Sequence, residues 1–241
     1  LNRPEAANSL SPELLAALAD AFAEIRADDG VRVVVLTGAG EKVFCAGMDL
    51  KAFSEQGEGG GRGGDGRRGA GFTFTREGFE KPVVAAVNGA AVGGGFELVL
   101  GCDLVVAAEH ARFGLPEVKR GLLPAGGGTL LGTRIPLPMA LEVALTGEYV
   151  DAARAASWGL VNRVVPAAGL LSAALELAGL VAANGPIAVQ VTKRLTRDAV
   201  LVDPARGWAS PEDVAAVFGS EDAKEGARAF VEKRAPTWVG R

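Results

Sequence analysis

"KPVVAAVNGAAVGGGFELVLGCDLVVAA", residues 81–108, sets two apolar, β-branched runs on either side of a glycine-led helix. The first run follows Pro82 and closes at Asn88-Gly89; the second is "DLVVAA" at 103–108. Neither alternates apolar with polar, the pattern expected of strands buried on both faces. Gly93-Gly94-Gly95 opens the helix between them. Strand, helix and strand in this order predict an α/β fold. One residue is out of character: Glu97 brings a carboxylate into glycine and hydrocarbon, where a charge is costly to bury without a partner.

The same alternation extends to both sides. In "SPELLAALADAFAEIRADDG", Ser11 reads as an N-cap with Pro12 at the first helical position. Leu14, Leu18, Phe22 and Ile25 fall on one stripe, and Gly30 ends the helix. "VRVVVLTG" predicts another strand buried on both faces. After about residue 135 the texture changes. Asp151 caps "AARAASW", "LVNRVV" is a short strand closed by Pro166, and 169–183, 187–200, 211–218 and 221–234 read as helices. The expected division is an α/β core over 1–165 and a helical region over 166–241. In 57–71, nine of fifteen residues are glycine, which predicts a mobile loop. Gly59, Gly61 and Gly64 match G-x-G-x-x-G there, but no strand leads in and no helix follows, so the match is chance.

Composition narrows the function classes. The 241 residues carry a net charge of −4 and a sequence pI near 5.2, against the basic face of a nucleic-acid binder. One histidine and two isolated cysteines, Cys45 and Cys102, give no metal-ligand spacing, so no metal is expected. The cysteines read as small core residues of a reducing compartment, and His110 as a surface residue. No apolar run reaches the length of a membrane span. A cytoplasmic setting is expected, and the opening "LNRPEAANSL" reads as a chain with residues upstream.

The chemistry gathers at the glycines. A helix that begins at Gly93-Gly94-Gly95 points unpartnered amides and the positive end of its dipole at whatever approaches. Without a P-loop lysine, an oxyanion that develops during a reaction fits better than a nucleotide triphosphate. "TGAGEKVFCAGMDLKAF" is a second glycine turn after a buried strand, and an amide near Gly47-Met48 is the candidate second donor. In "ARFGLPEVKRGLLPAGGG", Glu117 is a second carboxylate in an irregular, apolar setting. Two glutamates beside two glycine turns point to an acid–base pair around an oxyanion site.

These motifs resemble the crotonase (enoyl-CoA hydratase/isomerase) superfamily. The likeness runs from "LNRPEAANSL" through "FCAGMDLK", "KPVVAAVNGAAVGGGFEL", "FGLPEVKRGLLPAGGGT" and "ALTGEYVDAARAASWGLVNRVV" to "EDAKEGARAFVEKR". It implies a spiral of ββα repeats with a C-terminal helical oligomerisation subdomain that builds trimers or dimers of trimers. It also implies an acyl-CoA thioester substrate and no separate cofactor, coenzyme A being part of the substrate. Glu97 and Glu117 are the implied catalytic pair, and the amides of Met48 and Gly94 the implied oxyanion hole. Ala46, Met48, Asp49, Leu50, Lys51, Gly93 and Gly94 are implied to line the CoA path, with Arg3 near its phosphates.

Within the superfamily the acidic residues, not the fold, decide the reaction. Glutamates at both positions favour hydration of a 2-enoyl-CoA, where isomerases commonly keep one. "GGGFEL", "FGLPEVKRGLLP", "GLVNRVV" and "EKRAPTWVGR" are also similar to carnitinyl-CoA dehydratases. The alternatives are therefore a dehydratase of that type, a Δ3–Δ2 enoyl-CoA isomerase, and a non-catalytic CoA-thioester binder. The acyl chain length stays open.

Overall fold

A computed structural model describes residues 1–48, 78–203 and 208–241. The loop expected at 57–71 and the Asp49-Leu50-Lys51 segment lie outside the described residues.

Strands feed two four-stranded sheets in turn. The first sheet, in the order β1-β3-β5-β8, is parallel throughout: β1 (Val34–Thr37), β3 (Val83–Val87), β5 (Leu104–Ala108) and β8 (Arg163–Val165). The second has the order β2-β4-β6-β7: β2 (Val43–Cys45), β4 (Ala90–Val92), β6 (Arg112–Gly114) and β7 (Val150–Asp151). Only its β6–β7 pair is antiparallel. Each odd strand up to β5 is followed by its even neighbour in the other sheet, which produces the expected ββ step of the spiral. Asn88, buried at the step from β3 to β4, ties it to the preceding turn. Its Oδ1 accepts from Gly38 N at 3.2 Å, and its Nδ2 donates to Gly40 O at 2.8 Å.

β3 is buried at every residue, as its uninterrupted run predicts. β1 differs from expectation. It stands at the edge of its sheet and is mostly half-buried, with no neighbouring strand on one side among the described residues. Helix α1 (Pro12–Ala27) starts where predicted, with Ser11 Oγ accepting from Leu14 N at 3.3 Å. Leu18 and Phe22 are buried beneath it, and Phe22 meets Phe79 edge-on at 4.9 Å between centroids. Lys81 Nζ donates to Ile25 O and Asp28 O, both at 2.6 Å, placing a cation at the negative end of α1.

Helix α2 (Gly94–Gly101) lies against both β2 and β4 and is buried from Gly95 to Leu100. Helices α3 (Leu137–Thr146) and α4 (Ala152–Ser157) follow, the latter capped by Asp151 as predicted. Beyond Pro166 come α5 (Leu170–Ala182), α6 (Pro186–Leu201), α7 (Pro211–Phe218) and α8 (Glu221–Glu232), matching the four predicted helices. α5 lays Leu170, Ala174 and Ala178 on Val84, Ala86 and Val106 of the first sheet, so the first helix past residue 166 is also a layer of the core. α6 is fastened by charge: Lys193 Nζ and Arg197 Nη1 reach Asp103 at 2.7 and 3.0 Å, and Asp103 also accepts from Val83 N at 2.8 Å. No single described helix is long and apolar enough to cross a membrane.

Candidate active site

Glu97 is reached by the shortest path in the fold, one helical turn after β4 ends. Gly93 leaves the strand with φ 54° and donates its N–H to Gly114 O at 2.9 Å, and α2 begins at the next residue. The carboxylate three residues on is 5% exposed. Its Oε1 accepts from Gly126 N at 2.7 Å and from Gly128 N at 2.9 Å. Two N–H donors on one oxygen favour the ionised form and resolve the cost of burying it. A Cβ on Gly126 would stand 2.5 Å from Glu97 Oε2, so a side chain there would force the carboxylate and the amide apart.

Glu117 arrives by sheet register. β4 and β6 pair in parallel with Val92 opposite Gly114, so the chain leaves both strands at the same edge. One exit leads to Glu97; the other leads through Leu115 into a 3-10 turn, Pro116–Arg120, that carries Glu117. Glu117 Oε1 lies 2.9 Å from the place where a Cβ on Gly93 would be, hard against the glycine turn. Its Oε2 is buried with no hydrogen-bond partner among the described residues. Burial pushes the Glu117 carboxyl above its ordinary value, opposed in lesser degree by its own backbone N–H and by Arg120. The two glutamates thus sit in unlike environments, one favouring the charge and one the proton.

That contrast sets a pH dependence. A carboxyl whose folded pKa is raised contributes stability that is complete below the ordinary value of 4.5 and is lost as pH climbs through the raised one. Glu117→Gln removes this titration. In urea unfolding, the midpoint of Glu117→Gln is expected to gain on the wild-type midpoint between pH 4 and pH 8. A difference that stays constant with pH contradicts the raised value.

The second glycine turn meets the first. Gly47 is buried with φ 85°, and a Cβ on it would fall 2.7 Å from Val92 O and 3.1 Å from Gly94 N. The turn is held from behind by the N-terminal segment: Ala46 N donates to Ala7 O at 3.0 Å, and Leu10 N to Gly47 O at 2.8 Å. That leaves the Met48 and Gly94 N–H groups without an acceptor among the described residues. Ala46 and Met48 are exposed on either side of Gly47. Arg3 belongs to the segment behind the turn, with its Nη1 on Ser9 O at 2.9 Å. Asn8, fully buried, accepts from Arg3 N at 2.9 Å and donates to Val43 O at 3.0 Å, binding that segment to β2. Six of the residues singled out from the sequence (Ala46, Met48, Gly93, Gly94, Glu97 and Glu117) therefore meet at one place, with Arg3 behind them. Asp49, Leu50 and Lys51 are outside the described residues.

Glu97 also borders a cavity of about 890 Å³ between α2, the 123–130 segment and α6. Its wall mixes Leu100, Leu123 and Leu130 with Arg194 and Arg197. Sequence reasoning did not assign Gly126 and Gly128 a role. The signal was the run "PAGGGT" at 124–129, legible as a turn but not as the partner of a carboxylate some thirty residues earlier.

The ββα spiral thus carries one buried and one half-buried carboxyl close to two glycine turns, and the family can be stated. The family model described as Enoyl-CoA hydratase/isomerase matches residues 1–241, and the chain belongs to that family. Among curated relatives, carnitinyl-CoA dehydratase of Proteus mirabilis (strain HI4320) is 40% identical over 250 residues, covering 100% of this chain and 94% of the relative. The protein of that name from Salmonella arizonae is 43% identical, covering 100% and 93%. Among solved structures, an enoyl-CoA hydratase from Bacillus anthracis superposes with a TM-score of 0.94 at 40% identity, covering 100% of this chain and 94% of the other. One from Mycobacterium tuberculosis H37Rv gives 0.86 at 47% identity, covering 99% and 93%. The crotonase-type α/β fold expected from the sequence is the fold of this chain.

Proposed function

We propose that this protein is a hydro-lyase that adds water reversibly to the double bond of a 2-enoyl-CoA thioester. The observation that carries this reading is the unlike setting of Glu97 and Glu117 across one glycine turn. Glu97, kept as a carboxylate by Gly126 and Gly128, takes a proton from water as the oxygen bonds to Cβ. The π electrons move toward the thioester carbonyl, whose oxygen accepts from the Met48 and Gly94 amides. Glu117, kept toward its neutral form, gives its proton to Cα. Dehydration is the same path reversed. Coenzyme A arrives as part of the substrate, and the reaction as written draws on no further cofactor.

The test is absorbance at the enoyl-thioester band with crotonyl-CoA. Hydration removes the band; isomerisation of a 3-enoyl-CoA creates it; a binding protein changes neither. A second reading, a carnitinyl-CoA-type dehydratase, is favoured by the 40–43% identity to proteins of that name. It predicts that crotonobetainyl-CoA exceeds crotonyl-CoA in kcat/KM.

The active unit is a homotrimer or a dimer of trimers on this reading. Phe218, Phe230 and Val231 of α7 and α8 are 75, 86 and 79% exposed, apolar surface that a partner chain would cover. Light scattering is expected to return the mass of three or six chains. An active monomer overturns the assignment.

A further inference from the structure

We infer that Arg134 is a positioning residue for Glu97: it holds the far end of the catalytic helix, and one bracket of chain, Gly126–Arg134, thereby sets where the carboxylate stands. The inference rests on the hydratase reading and adds a residue to it.

α2 has eight residues, about two turns, too short to be stable alone. The position of Glu97 is therefore fixed by what grips the helix from outside. At its first turn the grip is the pair of amides from Gly126 and Gly128 on Oε1. At its last turn it is Arg134, whose Nη1 donates to Leu100 O at 2.8 Å and to Cys102 O at 3.0 Å. Both grips come from one continuous segment: Gly128 begins a 3-10 turn, Gly128–Thr133, and Arg134 ends it.

Two other carbonyls at that helix end are satisfied locally. Leu98 O accepts from Cys102 Sγ at 3.3 Å, and Val99 O from Cys102 N at 3.0 Å. Arg134 supplies the donors that the helix itself cannot. A guanidinium suits the place, because it carries fixed positive charge to the negative end of the helix dipole and reaches two carbonyls from one nitrogen. Its burial is costly, and Arg197 adds repulsion, while Asp103 favours the charge. A cation kept there at such a cost needs a use, and its described side-chain hydrogen bonds go to the last turn of the helix that carries Glu97 and to Cys102, which caps that helix.

The experiment measures kcat and KM on one enoyl-CoA for Arg134→Met and Arg134→Lys, each alone and combined with Glu97→Gln. Arg134→Met is expected to lower kcat about ten- to a hundredfold, the usual cost of a small misplacement, with KM within about twofold. Arg134→Lys, which keeps the charge but not the fork, recovers part of that loss. In the Glu97→Gln background either change should alter kcat by less than about twofold, because the group it positions is already disabled. Unchanged kcat in the single variants, or the same fold-loss with Glu97→Gln present, overturns the inference and leaves Arg134 acting on the fold alone. Should Arg134→Met fail to fold by circular dichroism, Arg134→Lys decides by the same comparison: a loss confined to the Glu97 background supports it, and any other result overturns it. A wild-type chain that turns over no enoyl-CoA overturns the hydratase reading and this inference with it. Normal wild-type turnover with uncoupled variants overturns this inference alone.

Discussion

Glu97→Gln and Glu117→Gln are each expected to lower kcat for hydration by roughly two to four orders of magnitude, the usual worth of a positioned acid or base. The double variant should lose far less than the product of the two, since both groups serve one transition state. Glutamine at 97 keeps an oxygen that can accept from Gly126 and Gly128, so the helix and its bracket survive while the proton acceptor is lost. Glutamine at 117 keeps the shape beside Gly93 and removes the transferable proton. Substrate affinity should persist in both, because the Met48 and Gly94 amides are untouched. Single-turnover kinetics with crotonyl-CoA separate these effects. If Glu97→Gln hydrates at the wild-type rate, or unfolds the protein, the carboxylate is a structural element and the proposed mechanism fails.

Gly47→Ala should be nearly as damaging without touching any ionisable group. The added carbon would need to occupy a point 2.7 Å from Val92 O and 3.1 Å from Gly94 N, at a backbone φ of 85° that alanine resists. The turn must retreat from α2, and the Met48 and Gly94 amides are then pulled apart, which on the proposed mechanism breaks the oxyanion site. Loss of one such donor costs about 10²–10³ in kcat, and that is the fall expected here. Thermal unfolding should report a simultaneous loss of about 1–3 kcal/mol from the strained backbone. The two glutamine variants should not share this loss, so activity and stability measured together distinguish an oxyanion defect from an acid–base defect. A Gly47→Ala protein with wild-type kcat would show that the two turns do not act together.

Much of this was decided in the sequence. β3 and β5 are visible because strands covered on both faces must be apolar at every residue, and α1 because Ser11-Pro12 and a 3.6-residue stripe are local features. Glu97 stands out since a carboxylate is chemically foreign to its neighbours. The glycine turns at Gly47 and Gly93 announce themselves because no other residue fits so close a backbone approach. The second sheet was not legible. Its strands are two or three residues long, too short to display any period, and they exist only because neighbours in the spiral pair with them. The half-burial of β1 was equally hidden, because an edge strand has the same residues as a central one and differs in what lies beside it. The pairing of Val92 with Gly114 likewise decided that Glu117 would face Gly93. The Gly126 and Gly128 amides lie 29 and 31 positions from the carboxylate they hold, and Arg134 lies 34 from Leu100 O. A backbone N–H is the same in every residue except proline, so no side-chain pattern can mark which amide will serve a distant carboxylate. The chemistry of each group was written in the sequence; the surroundings of each glutamate, two amides on Glu97 and, on Glu117, a buried oxygen partnerless among the described residues, were decided by chain brought alongside it in the fold.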